Sequence, residues 1–155
     1  MTERKKSVLL IDDDKAILNS FREVLSRTGY DVDTAGTGRQ ASDKAIAKVY
    51  DLVIIDMKLP DMEGTELLAR FQRNYPRPKK IIVTGYPTME NAIDSVNLHA
   101  DAYLVKPVNP EELLRVVEER LRDHSEEQEI TDEKVTHWMA NRESRSKEKP
   151  VPERD

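Results

Sequence analysis

Side chains able to bind a cation or a phosphoryl group follow the apolar runs of this sequence. In chain order these side chains are Asp12, Asp13, Asp56, Thr84 and Lys106. Each preceding run has the length of a short strand. In a sheet of parallel strands, ligands bind just beyond the carboxyl ends of the strands. The sequence therefore predicts that these five side chains share one crevice.

The chemistry of such a crevice favours phosphoryl transfer to a carboxylate. Clustered carboxylates repel one another, so Asp12, Asp13 and Asp56 need a cation. Oxygen ligands suit a hard ion, and Mg²⁺ also binds phosphate oxygens. An aspartate can accept a phosphoryl group covalently. We therefore predict Asp56 as the acceptor and, together with Asp12 and Asp13, as an Mg²⁺ ligand. Thr84 and Lys106 would then contact the phosphoryl oxygens.

The apolar runs that precede these residues predict the strands that position them. Three runs are strong and two are weaker; in chain order they are Val8–Ile11, Val32–Ala35, Leu52–Ile55, Ile81–Val83 and Ala102–Val105. The three strong runs, which are the first, third and fourth, do not alternate with polar residues. Such runs are typical of central strands in a parallel sheet, where both faces are buried.

Segments with helical periodicity lie between the strands. In the fourth of them, Met89, Ile93 and Val96 share one face. Asp14 is suited to cap the first helix, and Gly29 stands where that helix should end. Strand and helix alternate five times, which predicts an α/β fold with a parallel sheet, helices on both faces and right-handed crossovers.

Charge and apolar content divide the chain in two. We predict a folded domain over residues 5–122 and a charged extension over 123–155. The extension has 10 acidic and 6 basic side chains and few apolar ones. We expect a short helix near Thr131–Arg142, followed by a disordered tail.

Composition excludes several other classes of protein. The 155 residues include no cysteine, so there is no disulfide framework, thiolate zinc site or cysteine nucleophile. No apolar run approaches the roughly 20 residues of a membrane span, and we predict a cytoplasmic protein that does not contact a membrane. The net charge of −5 gives no electrostatic case for direct nucleic-acid binding.

Four motifs in the right order resemble the response-regulator receiver domain of two-component signalling. They are Leu-Ile-Asp-Asp-Asp at 10–14, Ile-Ile-Asp-Met-Lys-Leu-Pro-Asp-Met-Glu-Gly at 54–64, Val-Thr-Gly at 83–85 and Asp-Ala-Tyr-Leu-Val-Lys-Pro at 101–107. The resemblance covers about residues 5–122. It implies a CheY-like, flavodoxin-like (βα)5 doubly wound sandwich whose five parallel strands have the order 2-1-3-4-5.

The resemblance also implies roles for single residues. Asp56 would take its phosphoryl group from a histidine kinase or a phosphotransfer protein. The backbone carbonyl of Met57 would help the acidic residues to hold Mg²⁺. Thr84 and Tyr103 would switch conformation together, and the peptide bond before Pro107 would be cis.

The same resemblance predicts how the domain signals. It would be a stand-alone phosphoacceptor rather than an enzyme, with only self-catalysed phosphotransfer and slow autodephosphorylation. Its output would be a protein contact through the fourth helix, fifth strand and fifth helix, or a phosphorylation-dependent homodimer. One departure is His99, where the family usually has a glycine. A left-handed backbone is therefore expected at His99, with a penalty in conformational energy because the residue is not glycine.

Three alternatives remain open at this point. A phosphatase of the haloacid dehalogenase type also uses a nucleophilic aspartate after a strand, but it has a second aspartate where this chain has Lys58. A pseudo-receiver would bind partners without phosphorylation, although such domains usually lose an acid or the lysine. A DNA-binding regulator would need a further domain.

Overall fold

The computed structural model describes residues 4–122, which contain one five-stranded parallel sheet. In chain order the strands are β1 (Ser7–Ile11), β2 (Asp31–Ala35), β3 (Leu52–Asp56), β4 (Lys79–Thr84) and β5 (Ala102–Val105). Their order in the sheet is β2-β1-β3-β4-β5, and every pair is parallel. The flavodoxin-like order 2-1-3-4-5 is therefore confirmed.

A helix follows each strand. The helices are α1 (Lys15–Arg27), α2 (Gly38–Ala47), α3 (Gly64–Asn74), α4 (Met89–Asn97) and α5, which occupies 110–122 of the described chain. None of the helices in this part of the chain combines the length and hydropathy needed to cross a membrane. The predicted extension at 123–155, with its short helix and disordered tail, lies outside the described residues.

The central strands are buried on both faces, as their unbroken apolar runs predict. Every residue of β1 and β3 is buried, and so is all of β4 except its first residue. One core lies under α2 and α3 and contains Phe71; the other lies under α1 and α5 and contains Leu25 and Val117. Full burial of one such side chain contributes about 1.5–3 kcal/mol. Packing on both faces thus holds the strand ends in fixed positions.

The register of the sheet brings the predicted site residues to one edge. Ile11 pairs with Ile55, so Asp12 and Asp56 follow directly on neighbouring strands. Thr84 pairs with Val105 across β4 and β5, and Lys106 follows at once.

Local signals in the sequence correctly mark several helix ends. The Asp14 side chain accepts hydrogen bonds from the amides of Ala16 and Ile17 at 2.9 and 3.3 Å, so it caps α1 as predicted. Gly29 has a φ of 106° after α1, and His99 has a φ of 61° after α4. His99 therefore adopts the left-handed backbone expected there.

The apolar face of α4 points outwards. Met89, Ile93 and Val96 are 77%, 50% and 72% exposed, whereas Ser95 is buried. The Ser95 hydroxyl donates to the Asn91 carbonyl at 2.8 Å, which satisfies this buried polar group within the helix. α4 packs mainly against α3, and the edge strand β5 is itself only partly buried. Periodicity shows that three residues share a face, but the packing decides which face is buried.

A buried lysine, which the sequence does not reveal, lies in β4. Lys80 is 2% exposed, and its Nζ donates to the carbonyls of Pro76 and Pro78 at 2.9 and 2.6 Å. Burial lowers the pKa of Lys80 to about 8, despite the nearby charge of Asp101. The amine thus binds the carbonyls of the turn before β4, and its burial there disfavours the protonated form.

Lys80 should make the folded state more stable as the pH rises from 7.5 to 9.5. In this window the unfolded chain keeps the proton, with an ordinary pKa of 10.5, while the folded chain loses it near 8. Denaturant unfolding of the wild type should gain about 2 kcal/mol relative to Lys80→Met over this range. Parallel stability curves for the two proteins would show that Lys80 is not titrating in the folded state.

Candidate functional site

Three carboxylates meet at the carboxyl edge of the sheet. One oxygen from each of Asp12, Asp13 and Asp56 lies within 4.8 Å of the other two. Asp12 and Asp56 are buried and Asp13 is exposed, so the trio is open to solvent on one side. The backbone amide of Asp14 donates to Asp12 Oδ1 at 2.9 Å, which fixes one oxygen of that carboxylate. This acidic trio could hold a divalent ion.

Lys106 supplies the positive charge beside the trio. Its Nζ donates to Asp12 Oδ2 at 3.1 Å and lies 3.3 Å from Asp56 Oδ1. Burial by itself would lower the pKa of Lys106, but the hydrogen bond to Asp12 and the charges of both carboxylates outweigh it and raise that pKa. The amide of Lys106 also donates to the Thr84 carbonyl at 2.7 Å, and the bond to Pro107 is cis, as predicted.

The acceptor predicted from the sequence, Asp56, has an unusual affinity for protons. Burial and then the charge of Asp12 raise the pKa of Asp56 to about 6, although Lys106 acts in the opposite direction. One ammonium group therefore does not compensate for the carboxylates. A further cation would lower the energy of the site, which is the expectation for a divalent metal.

Thr84 lies on β4, next to the acceptor strand β3, and Tyr103 lies on β5, one strand further out. Thr84 is buried, and its hydroxyl accepts a hydrogen bond from the Tyr86 amide at 3.0 Å, which holds the start of the β4–α4 loop. Tyr103 packs against the core beneath α2 and α3. Its hydroxyl is buried and has no hydrogen-bond partner within the described residues. An unpaired buried hydroxyl raises the free energy of the structure.

The segment after Asp56 forms a short hairpin, defined here as residues 57–64. The Leu59 amide donates to the Met62 carbonyl at 3.1 Å and the Gly64 amide donates to the Met57 carbonyl at 2.6 Å. These bonds flank the antiparallel bridge between Lys58 and Glu63. Successive carbonyls along a strand point in opposite directions. The Met57 carbonyl thus points into the hairpin, and the Lys58 carbonyl points out of it.

Gly64 lets the hairpin close directly against the acceptor. A Cβ atom on Gly64 would lie 2.4 Å from the Asp56 carbonyl oxygen and 2.7 Å from Met57 Cα. Both are backbone atoms that cannot move aside. Only glycine fits, so α3 begins in contact with the acceptor residue. The position of Gly64 at the end of the 54–64 motif is the sequence signal from which this role could have been inferred.

A cavity of about 570 Å³ opens beside Lys106. Ile17, Phe21 and Val108 are among the residues that line it, together with Lys106 and Pro107. The site therefore has an apolar surface on one side of its charged groups.

Comparison with known proteins identifies the same part of the chain. A family model described as the response regulator receiver domain matches residues 8–118. A receiver domain protein (CheY-like) from Methanospirillum hungatei JF-1 has a crystal structure with 44% sequence identity and a TM-score of 0.78, and the match covers 80% of this chain and 99% of that one. A response regulator from Burkholderia pseudomallei, crystallised with a phosphorylated aspartic acid, a calcium ion and citrate, is 25% identical with a TM-score of 0.69 over 90% of this chain and 86% of that one.

The curated relatives include longer proteins. The alginate biosynthesis transcriptional regulatory protein AlgB of Pseudomonas syringae pv. tomato is 37% identical over 112 residues, which is 72% of this chain and 25% of the relative. The chain thus spans about a quarter of the length of that protein. The similarity concerns the part that contains the acidic trio, and it does not transfer the relative's transcriptional activity.

Replacing Asp56 by asparagine should stabilise the fold at pH 8 in the absence of divalent ions. Because the pKa of Asp56 is raised from 3.8 to about 6 on folding, stability is lost as the pH rises from about 3.8 to 6, and the full cost is present above 6. Asp56→Asn should therefore gain about 1–3 kcal/mol at pH 8 in urea unfolding with EDTA present. The gain should shrink as the pH falls through 6 and vanish near 4.

The matched control is Asp13→Asn, in which the removed carboxylate is exposed and the gain should be smaller. Lower stability of Asp56→Asn than of wild type at pH 8 would show that repulsion in the trio does not control the energy of the site.

Proposed function

The chain belongs to the response regulator receiver family, and from this premise we propose that Asp56 is its phosphoacceptor and that Mg²⁺ is the ion of the acidic trio. The domain is a phosphoacceptor signalling module rather than an enzyme, and a histidine kinase is its implied partner. The observation that carries the proposal is the meeting of three carboxylates and one lysine at the ends of β1, β3 and β5.

The proposed ligands of Mg²⁺ are the side chains of Asp12, Asp13 and Asp56. When bound, the ion would offset the charges of these carboxylates and of the incoming phosphoryl group. The Met57 carbonyl, expected from the sequence as a further ligand, already accepts a hydrogen bond from Gly64 within the hairpin. The carbonyl of Lys58 points out of the hairpin, so we favour it over Met57 as the backbone ligand.

The chemistry proposed for Asp56 is a displacement at phosphorus. An Asp56 carboxylate oxygen forms a bond to phosphorus while the bond from phosphorus to the donor histidine nitrogen breaks. The nitrogen keeps the electron pair of the broken bond. Lys106 lies 3.3 Å from Asp56 Oδ1 and would contact a phosphoryl oxygen after transfer. The apolar cavity beside Lys106 offers the donor protein a surface next to the acceptor.

The proposed switch uses Thr84 and Tyr103. The Thr84 hydroxyl accepts from the Tyr86 amide and still has its own proton to donate. If it donates that proton to a phosphoryl oxygen, the β4–α4 loop must shift with it. The buried Tyr103 hydroxyl lacks a partner within the described residues, which favours a second ring position when the loop moves.

The proposed output surface comprises α4, β5 and α5. Its exposed apolar residues include Met89, Val96 and Val105. A contiguous exposed apolar surface indicates a protein contact, and here it adjoins the loop that Thr84 would move. We propose that a downstream protein, or a second phosphorylated copy of the chain, binds this surface.

Phosphorylation should depend on Asp56 and on a divalent ion. Incubation with acetyl phosphate and Mg²⁺ should add the mass of one phosphoryl group. Bound Mg²⁺ would offset the repulsion among the carboxylates of the trio and between them and the incoming phosphoryl group. Asp56→Asn should gain none, and EDTA should prevent the gain in wild type. Asp13→Ala should remain folded by circular dichroism but lose phosphorylation.

Undiminished labelling of Asp56→Asn would disprove the acceptor assignment. A wild-type protein that stays unlabelled, although a control receiver is labelled under the same conditions, would favour the pseudo-receiver alternative.

The response to a phosphoryl mimic should be concentrated on the output surface. Adding beryllofluoride and Mg²⁺ should cause the largest amide shifts in α4, β5 and α5, including Tyr103.

If partner binding or dimerisation follows, Val96→Lys should abolish it, because a charge would replace an apolar contact. Ile46→Lys is the matched control, since Ile46 on α2 is 71% exposed and Val96 is 72% exposed. Shifts confined to α1, or equal effects of both variants, would contradict this surface.

A further inference from the structure

The tip of the hairpin is attached to the start of α2 by one carboxylate. Asp61 Oδ1 accepts from the Gly38 amide at 2.8 Å, and its Oδ2 accepts from the Arg39 amide at 2.9 Å. These bonds join residues that are 23 and 22 positions apart in the chain. They hold the pKa of Asp61 below its ordinary value. Asp61 thus binds two of the amides that the first turn of α2 leaves free.

The two segments also touch through side-chain atoms. A Cβ atom on Gly38 would lie 2.4 Å from the Met62 sulfur, so the hairpin packs directly on the first residue of α2. A side chain at position 38 would force the Met62 side chain to move away from α2. The hairpin tip is therefore fastened by hydrogen bonds and by close packing at the same place.

The start of α2 is in turn connected to the acidic trio. The Asp12 amide donates to the Ala35 carbonyl at 3.0 Å, and only Gly36 and Thr37 separate Ala35 from α2. At its other end, the hairpin closes against the Asp56 backbone through Gly64. A continuous series of contacts thus links Asp12 to the start of α2, the start of α2 to Asp61 in the hairpin, and the hairpin to Asp56.

We propose that Asp61 is a positioning residue for the phosphoacceptor site. Its carboxylate holds the hairpin tip on α2, and this keeps Lys58, three residues earlier, in a fixed place beside Asp56. The inference rests on the proposed function, because the group that Lys58 would help to bind is the Mg²⁺ of that site. Without Asp61 the tip loses both hydrogen bonds to α2 and keeps the packing of Met62 on Gly38, so the Lys58 carbonyl is held less firmly.

A purely structural role for Asp61 would be the capping of α2, and the chain offers a matched control for that role. Thr37 is the N-cap of the same helix, and its hydroxyl accepts from the Gln40 amide at 3.0 Å. In the described contacts, this hydroxyl does not bond to the hairpin. Thr37→Ala therefore weakens the cap of α2 and leaves the attachment of the hairpin in place.

The experiment compares Asp61→Ala, Asp61→Asn and Thr37→Ala with the wild-type chain. Hydrogen exchange followed by NMR, without metal, reports on the hairpin amides of Leu59 and Gly64. Mg²⁺ titration followed by amide shifts gives the dissociation constant of the metal. Thermal unfolding gives the loss of stability in each variant.

We expect Asp61→Ala to speed exchange of the hairpin amides and to raise the Mg²⁺ dissociation constant about threefold or more, since groups that orient metal ligands affect metal affinity strongly. Asp61→Asn keeps one acceptor oxygen for the two amides that Asp61 binds, so it should restore part of both properties. Thr37→Ala should lower the melting temperature but leave hairpin exchange and Mg²⁺ affinity at wild-type values.

The proposal is overturned if Asp61→Ala and Thr37→Ala change exchange, affinity and stability alike, because Asp61 is then only a helix cap. It is also overturned if Asp61→Ala leaves hairpin exchange and Mg²⁺ affinity at wild-type values. A wild-type chain that binds no Mg²⁺ would contradict the proposed function, while the exchange data would still show whether Asp61 holds the hairpin.

Discussion

Electrostatic repulsion among the carboxylates at the end of the sheet is the constraint on which the rest of the structure depends. Asp12 and Asp56 are both buried, and Lys106 is the cation that lies between them. Even with this lysine nearby, burial and the charge of Asp12 raise the pKa of Asp56 to about 6, so the charged form of the site is disfavoured. Such a site gains stability from any bound cation.

The fold resists this repulsion by rigid packing. β1 and β3 carry the two buried carboxylates and are buried along their whole length, between two separate cores. Strands packed on both faces cannot shift individually to separate the charges. The loops are restrained as well, since Gly64 closes the hairpin onto Asp56 and Asp61 fastens it to α2. Rigidity on this side of the molecule keeps the acidic trio together.

The opposite edge of the sheet is packed more loosely. α4 exposes Met89 and Val96 and buries the small residue Ser95, and β5 is only partly buried. Elements with few buried apolar contacts are those that move at low energetic cost. The Tyr103 hydroxyl, buried without a partner in the described chain, lies in this region. The proposed output surface thus lies on the more loosely packed part of the described fold.

The sequence determines the local features of this protein. Apolar runs predict which strands are buried, and residues such as Asp14, Gly29 and His99 mark where helices begin and end. The clustering of Asp12 and Asp56 follows as well, because parallel strands end at one edge. Backbone propensity and periodicity act over a few residues, so these features can be read directly from the chain.

Tertiary structure decides the features that depend on residues far apart in the chain. Helical periodicity groups Met89 with Val96, but only the packing of α4 in the fold decides that this face is exposed. The bonds from Asp61 to Gly38 and Arg39, the burial of Lys80 and the raised pKa of Asp56 each depend on distant neighbours. Burial and Coulomb interactions are set by distances in space, and those distances exist only once the chain has folded.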